Sequence, residues 1–221
     1  MKNDYILIVD TEAIDLQKPF IYDIGLIVAK RNEKGEYESI VENSFIIKQV
    51  YNNKELFHTA YYGNKRPKYV SLMKGKHSVQ KYYGHAMRYI QSIVKQYDIK
   101  NVYAYNCWFD KKAFEFTSAF YKQKNAFKNL WWNDILAIAN NFIHNDKKYN
   151  EFCIDNDYVT ENQNLKANAE ITYQYIINDT SFIEDHMGLS DSRIELQILN
   201  KSIANGYDFQ TYKRKYIKAL T

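Results

Sequence analysis

The order of elements along this chain predicts an α/β layer fold with a mixed sheet. Two observations carry that reading. Three β-branched runs come first, and a helix and a fourth apolar strand then give way to mostly helical patterns. At 221 residues the chain has the length of one domain, or of one domain with an insertion.

Each element has its own signal. Tyr5-Ile-Leu-Ile-Val9 is apolar on both faces and reads as a central strand. Residues 20–30 form a second strand. Turn residues at Asn32-Glu-Lys-Gly35 lead into a third over 36–48, paired with the second as a hairpin. Residues 50–76 have no clear period. An amphipathic helix over 78–97 follows, with Tyr82, Met87, Ile90 and Val94 along one face. The fourth strand is Asn101-Val-Tyr-Ala-Tyr105, and a helix runs on from it over 110–122. Residues 133–144 read as a helix with Asn133 as its cap. The segment 145–165 reads as an irregular excursion, and 166–177, 190–204 and 209–220 as further helices. With 7 Gly and 2 Pro, punctuation is sparse and boundaries are loosely set.

Composition narrows the function classes. The chain is 46% hydrophobic and 25% charged, enough apolar material for a packed core, so long disordered tracts are excluded. No apolar run approaches the length of a membrane span. Residues 5–9 are too short for a signal-peptide core, and the chain reads as cytoplasmic. Cys107 and Cys153 supply neither a disulfide framework nor a zinc pattern. The net charge of +4 is compatible with a polyanionic ligand. Twenty-one Tyr and 12 Phe could stack on bases, although an AT-rich gene is the plainer cause of so many tyrosines.

The chemistry is carried by acids at the ends of strands. Val9-Asp10-Thr11-Glu12 closes the first strand, and alternation puts Asp10 and Glu12 on one face, about 7 Å apart. Such a pair disfavours joint ionisation unless a cation sits between the two, and oxygen ligands suit Mg²⁺ or Mn²⁺. Solvated loop acids are the plain alternative. The fourth strand likewise runs into Asn106-Cys-Trp-Phe109-Asp110 at the mouth of a helix, where ordinary capping by Asp110 also fits. Near the C-terminus, His186 stands five residues before Asp191 and the helix it opens. A histidine there can take a proton from water, or simply be a surface residue before a helix.

Together, Asp10-x-Glu12, Asn106-x-x-Phe109-Asp110 and His186-x-x-x-x-Asp191 resemble, in order and location, the three motifs of the DEDD exonuclease superfamily in its His-containing (DEDDh) branch. The likeness spans the whole chain and looks closest to phage-encoded proofreading-like exonucleases. Tyr22-Asp-Ile-Gly25 and Ala169-Glu-Ile-x-Tyr173-x-Tyr175 have counterparts there. The resemblance implies a ribonuclease-H-like fold with a five-stranded mixed sheet flanked by helices. It implies that Asp10, Glu12, Asp110 and Asp191 hold two divalent cations, Mg²⁺ or Mn²⁺, and that His186 orients and deprotonates the attacking water. The residues around the acids, Thr11, Ala13, Ile14, Asn106, Trp108 and Phe109, would face the substrate. Ile14 departs from the small or hydroxyl residue usual at that position, and 145–165 stands as an insertion.

The implied substrate is the 3′ end of single-stranded DNA or RNA, shortened to nucleoside 5′-monophosphates; no membrane is involved, and a homodimer is left open. A catalytically idle binding module of the same fold and a ribonuclease-H-like endonuclease are the rival readings. Between Lys54 and Lys81, cations including Lys65, Arg66 and Lys68 alternate with Tyr61, Tyr62, Tyr69, Tyr82 and Tyr83, as a strand-tracking surface or as a solvated loop. Lys213-Arg-Lys215 reads as a solvated helix face, Trp131-Trp132 as core or a surface patch, and Asp134, Asp155 and Asp157 as surface acids.

Overall fold

The computed structural model describes residues 4–219. Its centre is a six-stranded sheet in the order β4-β3-β2-β1-β5-β6. The strands are β1 (Tyr5–Ala13), β2 (Ile21–Arg31), β3 (Tyr37–Ile47), β4 (Val79–Lys81), β5 (Asn101–Ala104) and β6 (Trp131–Asp134). β1, β2 and β3 form an antiparallel meander, while β4, β5 and β6 each pair in parallel with their neighbour. β1 therefore lies between an antiparallel and a parallel partner. The parallel register, Leu7 opposite Val102, brings the C-terminal ends of β1 and β5 side by side.

Alternation along the central strands builds two cores. Leu7, Val9, Ile24 and Leu26 enter the core covered by α4 (Tyr83–Gln96) and α5 (Trp108–Phe120). Ile6, Ile8, Ile27 and Ala29 enter the other, beneath α6 (Ile135–Phe142), α7 (Lys147–Asp155), α8 (Ala169–Ile177) and α9 (Gly188–Ala204). Three short helices, α1 (Lys48–Tyr51), α2 (Lys54–His58) and α3 (Arg66–Lys74), fill the stretch that showed no period. They bury Val50, Tyr51, Phe57 and Tyr69 against the first core. No helix among the described residues is long and apolar enough to cross a membrane.

Several expectations need correction. The sheet has six strands rather than five, because residues 79–81 leave the expected helix to pair with β3, and 131–134 pair with β5. Tyr82 is then the residue before α4 and is exposed. Asn133 lies in β6; the cap of α6 is Asp134, whose side chain accepts from Leu136 N–H at 3.2 Å. The excursion contains α7, held by buried Tyr149 and Cys153. Residues 209–219 are not helical; they cross the surface as an extended strap, bridged at Lys218 to Asn164. Leu220, the last residue of that expected helix, lies outside the described residues. Aromatic side chains on that segment anchor it without a helical face: Tyr212 packs edge-on against Phe142 at 5.0 Å.

Candidate functional site

The adjacent ends of β1 and β5 open into a cleft of about 1050 Å³. Asp10 and Glu12 reach it from β1 and Asp110 from the first turn of α5. His186 comes from the segment before α9, and Asp191 from that helix's first turn. Thr11, Ala13, Ile14, Asn106 and Phe109 line the same cleft. Asn106 makes the tight turn between β5 and α5 with φ of 59°, a left-handed conformation that asparagine tolerates.

Burying these acids is costly, and neighbouring structure offsets the cost. Thr11 donates to Asp110 Oδ1 twice, from its N–H at 2.9 Å and its hydroxyl at 2.8 Å. On α9, Ile194, Leu196, Ile198 and Leu199 are buried, each worth about 1.5–3 kcal/mol. That packing holds the acid-bearing first turns in place. Burial and the charges of Asp191, Asp110, Glu195 and Glu12 push the Asp10 carboxyl well above its ordinary range. Glu12 and Asp191 are pushed up to about 9, and Asp110 to about 7, with burial the largest cause in each case. His186 is pushed the other way, first by burial and then by the Lys65 ammonium, which favours a neutral ring.

Carboxylate oxygens of Glu12 and Asp191 and a ring nitrogen of His186 all lie within 4.8 Å of one another. Buried Asp10 Oδ2, Asp191 Oδ1 and Glu195 Oε2 have no hydrogen-bond partner. Buried anionic oxygens without donors need a cation, and an all-carboxylate set with one imidazole fits a hard divalent ion. The donor set therefore fits Mg²⁺ or Mn²⁺.

No protein-family model matches the sequence, and no curated protein does. Solved structures do resemble the fold. Exonuclease I of E. coli, in complex with a dA16 oligonucleotide, superposes with a TM-score of 0.53 at 10% identity, over 91% of this chain and 41% of that one. The chain shares its fold with the matched part of Exonuclease I. Two further likenesses are the nuclease domain of 3′hExo, a DEDDh family member bound to rAMP, and Exonuclease X with 5′ overhanging duplex DNA. The first has a TM-score of 0.48 at 15% identity, over 97% of this chain and 98% of that one. The second has 0.41 at 12%, over 91% and 92%.

In this fold some expected substrate residues stand elsewhere. Trp108 is turned out of the cleft and lines a neighbouring hollow. Arg66 lies over the Tyr51 and Phe57 rings and donates to the Tyr51 carbonyl, so it packs the helices together. Lys68 pairs with the Asp185 carboxylate at 2.7 Å. Lys65 alone of the three stands beside the acids, its Nζ donating to the Asp185 carbonyl at 2.7 Å and lying 4.0 Å from the Tyr62 ring centroid. Tyr69 and Tyr83 are core residues with no face for a base. Asp134 is a cap paired with Arg214 rather than a surface acid.

Three residues given no role from the sequence belong to the site, together with Tyr62, which the sequence offered only as part of a base-stacking stretch. Glu195 follows Asp191 by one helical turn, is buried, and accepts from Tyr105 N–H at 2.9 Å; its i+4 spacing was the available signal. Asp23 accepts from Tyr69 O–H at 3.1 Å and Gly188 N–H at 3.0 Å, tying α3 and α9 to β2. Glu184 stands 3.7 Å from His186 Nδ1. Tyr62 stacks on the His186 imidazole, with ring centroids 4.4 Å apart and planes at 17°. Glu184 carries no sequence signal, and nothing in the sequence ties Tyr62 to the histidine, since only the chain's folding brings either one there.

Proposed function

We propose that residues 1–221 form a single exonuclease domain that uses divalent cations to hydrolyse phosphodiester bonds at single-stranded 3′ ends of DNA or RNA, releasing nucleoside 5′-monophosphates. One observation carries the reading: Asp10, Glu12, Asp110, His186 and Asp191 converge on one open cleft from three separate stretches of chain. The expense of burying that many carboxylates together is hard to account for by stability alone.

Asp10, Glu12, Asp110 and Asp191 would hold the cations, which when bound lower the pKa of water and neutralise charge on the departing oxygen. Two ions, rather than one, would fit the number of carboxylates. His186, whose neutral form burial and Lys65 favour, accepts the proton from the attacking water. The water oxygen bonds to phosphorus as the bond to the 3′ oxygen breaks, and that oxygen takes up a proton. Thr11 fixes the Asp110 carboxylate through its two donors, and Tyr22 O–H, 3.4 Å from Glu12 Oε2, steadies the other side of the cluster. Tyr62 orients the imidazole. The open cleft leaves room for an unpaired strand end.

The test is a gel of 5′-labelled single strands, DNA and RNA in parallel, with Mg²⁺ or Mn²⁺. A ladder shortening from the 3′ end supports the reading. Internal cuts would make the chain an endonuclease, and intact strands bound without cleavage would make it a binding module.

A further inference from the structure

Behind the turn that carries Asn106 lies a second hollow of about 430 Å³, whose walls include Trp108, Trp132, Tyr212, Lys213 and Arg214. A third of the same size shares Arg214 and adds Lys166, Lys215 and Tyr216. The extended strap 209–219 lines both, with Arg214 common to the two. It is held by the Tyr212 ring against Phe142 and by Leu165 N–H donating to the Ile217 carbonyl at 2.8 Å.

Asp134 joins these hollows to the cleft. Its Oδ1 accepts from Asn106 N–H at 3.0 Å, and its other carboxylate oxygen pairs with Arg214. One side chain thus ties a cleft-lining turn to the residue common to both hollows. On the far side, Tyr105 lines the cleft and donates its O–H at 2.6 Å to the carbonyl of Ala167, which lines the third hollow.

The chemistry of these walls is specific. Trp108 is 64% exposed, with Lys111 Nζ 5.3 Å from its ring, and Tyr216 is 90% exposed. Among the described residues lining the two hollows, Lys166, Lys213, Arg214 and Lys215 face a single acid, Asp134, already paired with Arg214. Exposed rings interleaved with cations suit an unpaired polyanion whose bases stack and whose phosphates are neutralised. An apolar protein partner would not call for the cations.

We propose that the two hollows continue the cleft and hold the part of a single-stranded nucleic acid that lies several nucleotides away from its reacting end. This rests on the reading of the cleft as the place where that end is hydrolysed. The strap is then a binding element, and its refusal to be helical has a use: an extended segment presents Lys213, Lys215 and Tyr216 along a path instead of around a cylinder.

The test measures binding in EDTA, where nothing is cleaved, by anisotropy of 5′-fluorescein oligothymidylates four and twelve residues long, with oligouridylates of the same lengths alongside. The variants are Lys213→Ser/Lys215→Ser and, independently, Tyr216→Ser, whose ring is too exposed to matter to folding. Each variant should weaken the twelve-residue ligand, the lysine pair about tenfold, and leave the four-residue ligand within twofold. In the lysine variant the salt slope for the longer ligand should fall by roughly 0.7 for each phosphate no longer neutralised. Unchanged binding of the longer ligand, or equal weakening of both lengths, would overturn the proposal. In that case Mg²⁺-dependent trimming of the four-residue strand by the wild type would leave the reading of the cleft standing. Absence of both trimming and binding in the wild type would remove the two together.

Discussion

Gly25 of β2 and Gly188 at the start of α9 meet backbone to backbone. A methyl group on Gly25 would fall 1.9 Å from the Gly188 carbonyl carbon. One on Gly188 would fall 2.5 Å from Gly25 N and 3.1 Å from the Asp10 carbonyl oxygen. Because Gly25 pairs with Asp10 across the sheet, this contact seats the start of α9 directly over the first of the cleft acids. Asp191, three residues on, arrives beside it. Gly25→Ala should therefore displace α9, since the obstacle is backbone and not a yielding side-chain tip. The expected cost is at least the roughly 1–3 kcal/mol of ordinary overpacking. Cleavage and Mn²⁺ binding should fall together. Urea denaturation and calorimetric titration of Mn²⁺ check this; wild-type metal affinity in Gly25→Ala would mean that α9 is positioned by other contacts.

Asp10 is surrounded by Asp191, Asp110, Glu195 and Glu12. Asp10→Asn keeps the shape, removes one of the crowded charges and removes a ligand of the proposed cations. Activity should drop to near background while the melting temperature of the metal-free protein rises. A purified variant that keeps a large fraction of the wild-type rate would defeat the assignment of Asp10 as a ligand.

The same crowding makes the metal-free protein sensitive to pH. Carboxyls raised in the folded state bind protons more tightly folded than unfolded, so their contribution to stability is fully present below the ordinary carboxylate range. It is lost as pH rises through the folded values, about 7 for Asp110 and about 9 for Glu12 and Asp191. Melting curves in EDTA should fall progressively from pH 5 to pH 9. Saturating Mg²⁺ should cancel most of that decline by supplying the missing counter-charge. A flat profile in EDTA would show that the acids ionise freely.

His186→Ala should lower kcat by about 10²–10⁴, the usual contribution of a positioned general base. Wild-type activity should rise with pH through the titration of the histidine, with the midpoint below the ordinary histidine value, and that limb should vanish or move in the variant. Tyr62 acts on the same ring. Tyr62→Ala should reduce kcat with little change in KM, whereas Tyr62→Phe keeps the stacking face and should retain most of the rate. An equal loss in both variants would assign the work to the phenol hydroxyl instead.

Arg66 and Lys65 separate a packing role from a role at the cleft. Arg66→Ala should destabilise the protein, because the guanidinium bridges the Tyr51 and Phe57 rings, and should leave the salt dependence of KM unaltered. Lys65→Ala should change kcat through the Asp185–His186 segment that it holds. A flattened salt dependence in Arg66→Ala would restore it as a phosphate contact.

The sequence by itself determined the hairpin of the second and third strands, the central place of the first strand and the presence of acids at the strand ends. A run apolar on both faces must be buried, and a carboxylate that ends such a run needs a partner; both statements depend on residues close together in the chain. The edge strand β4, the strand β6 and the non-helical strap were not legible in that way. Val79–Lys81 and Trp131–Asp134 become strands because β3 and β5 offer open edges, and 209–219 lies extended, held by Tyr212 against Phe142 and by the Ile217 carbonyl accepting from Leu165 N–H. Arg66 and Trp108 carry the right chemistry for a substrate contact, but Arg66 packs over Tyr51 and Phe57, and Trp108 lines the hollow with Trp132 and Tyr212. The tertiary structure alone decided that Glu195 and Tyr62 reach the acids and the histidine, since two glycines 163 positions apart had first to bring α9 against the sheet. Local pattern reports what a residue can do, whereas long-range packing decides what it faces.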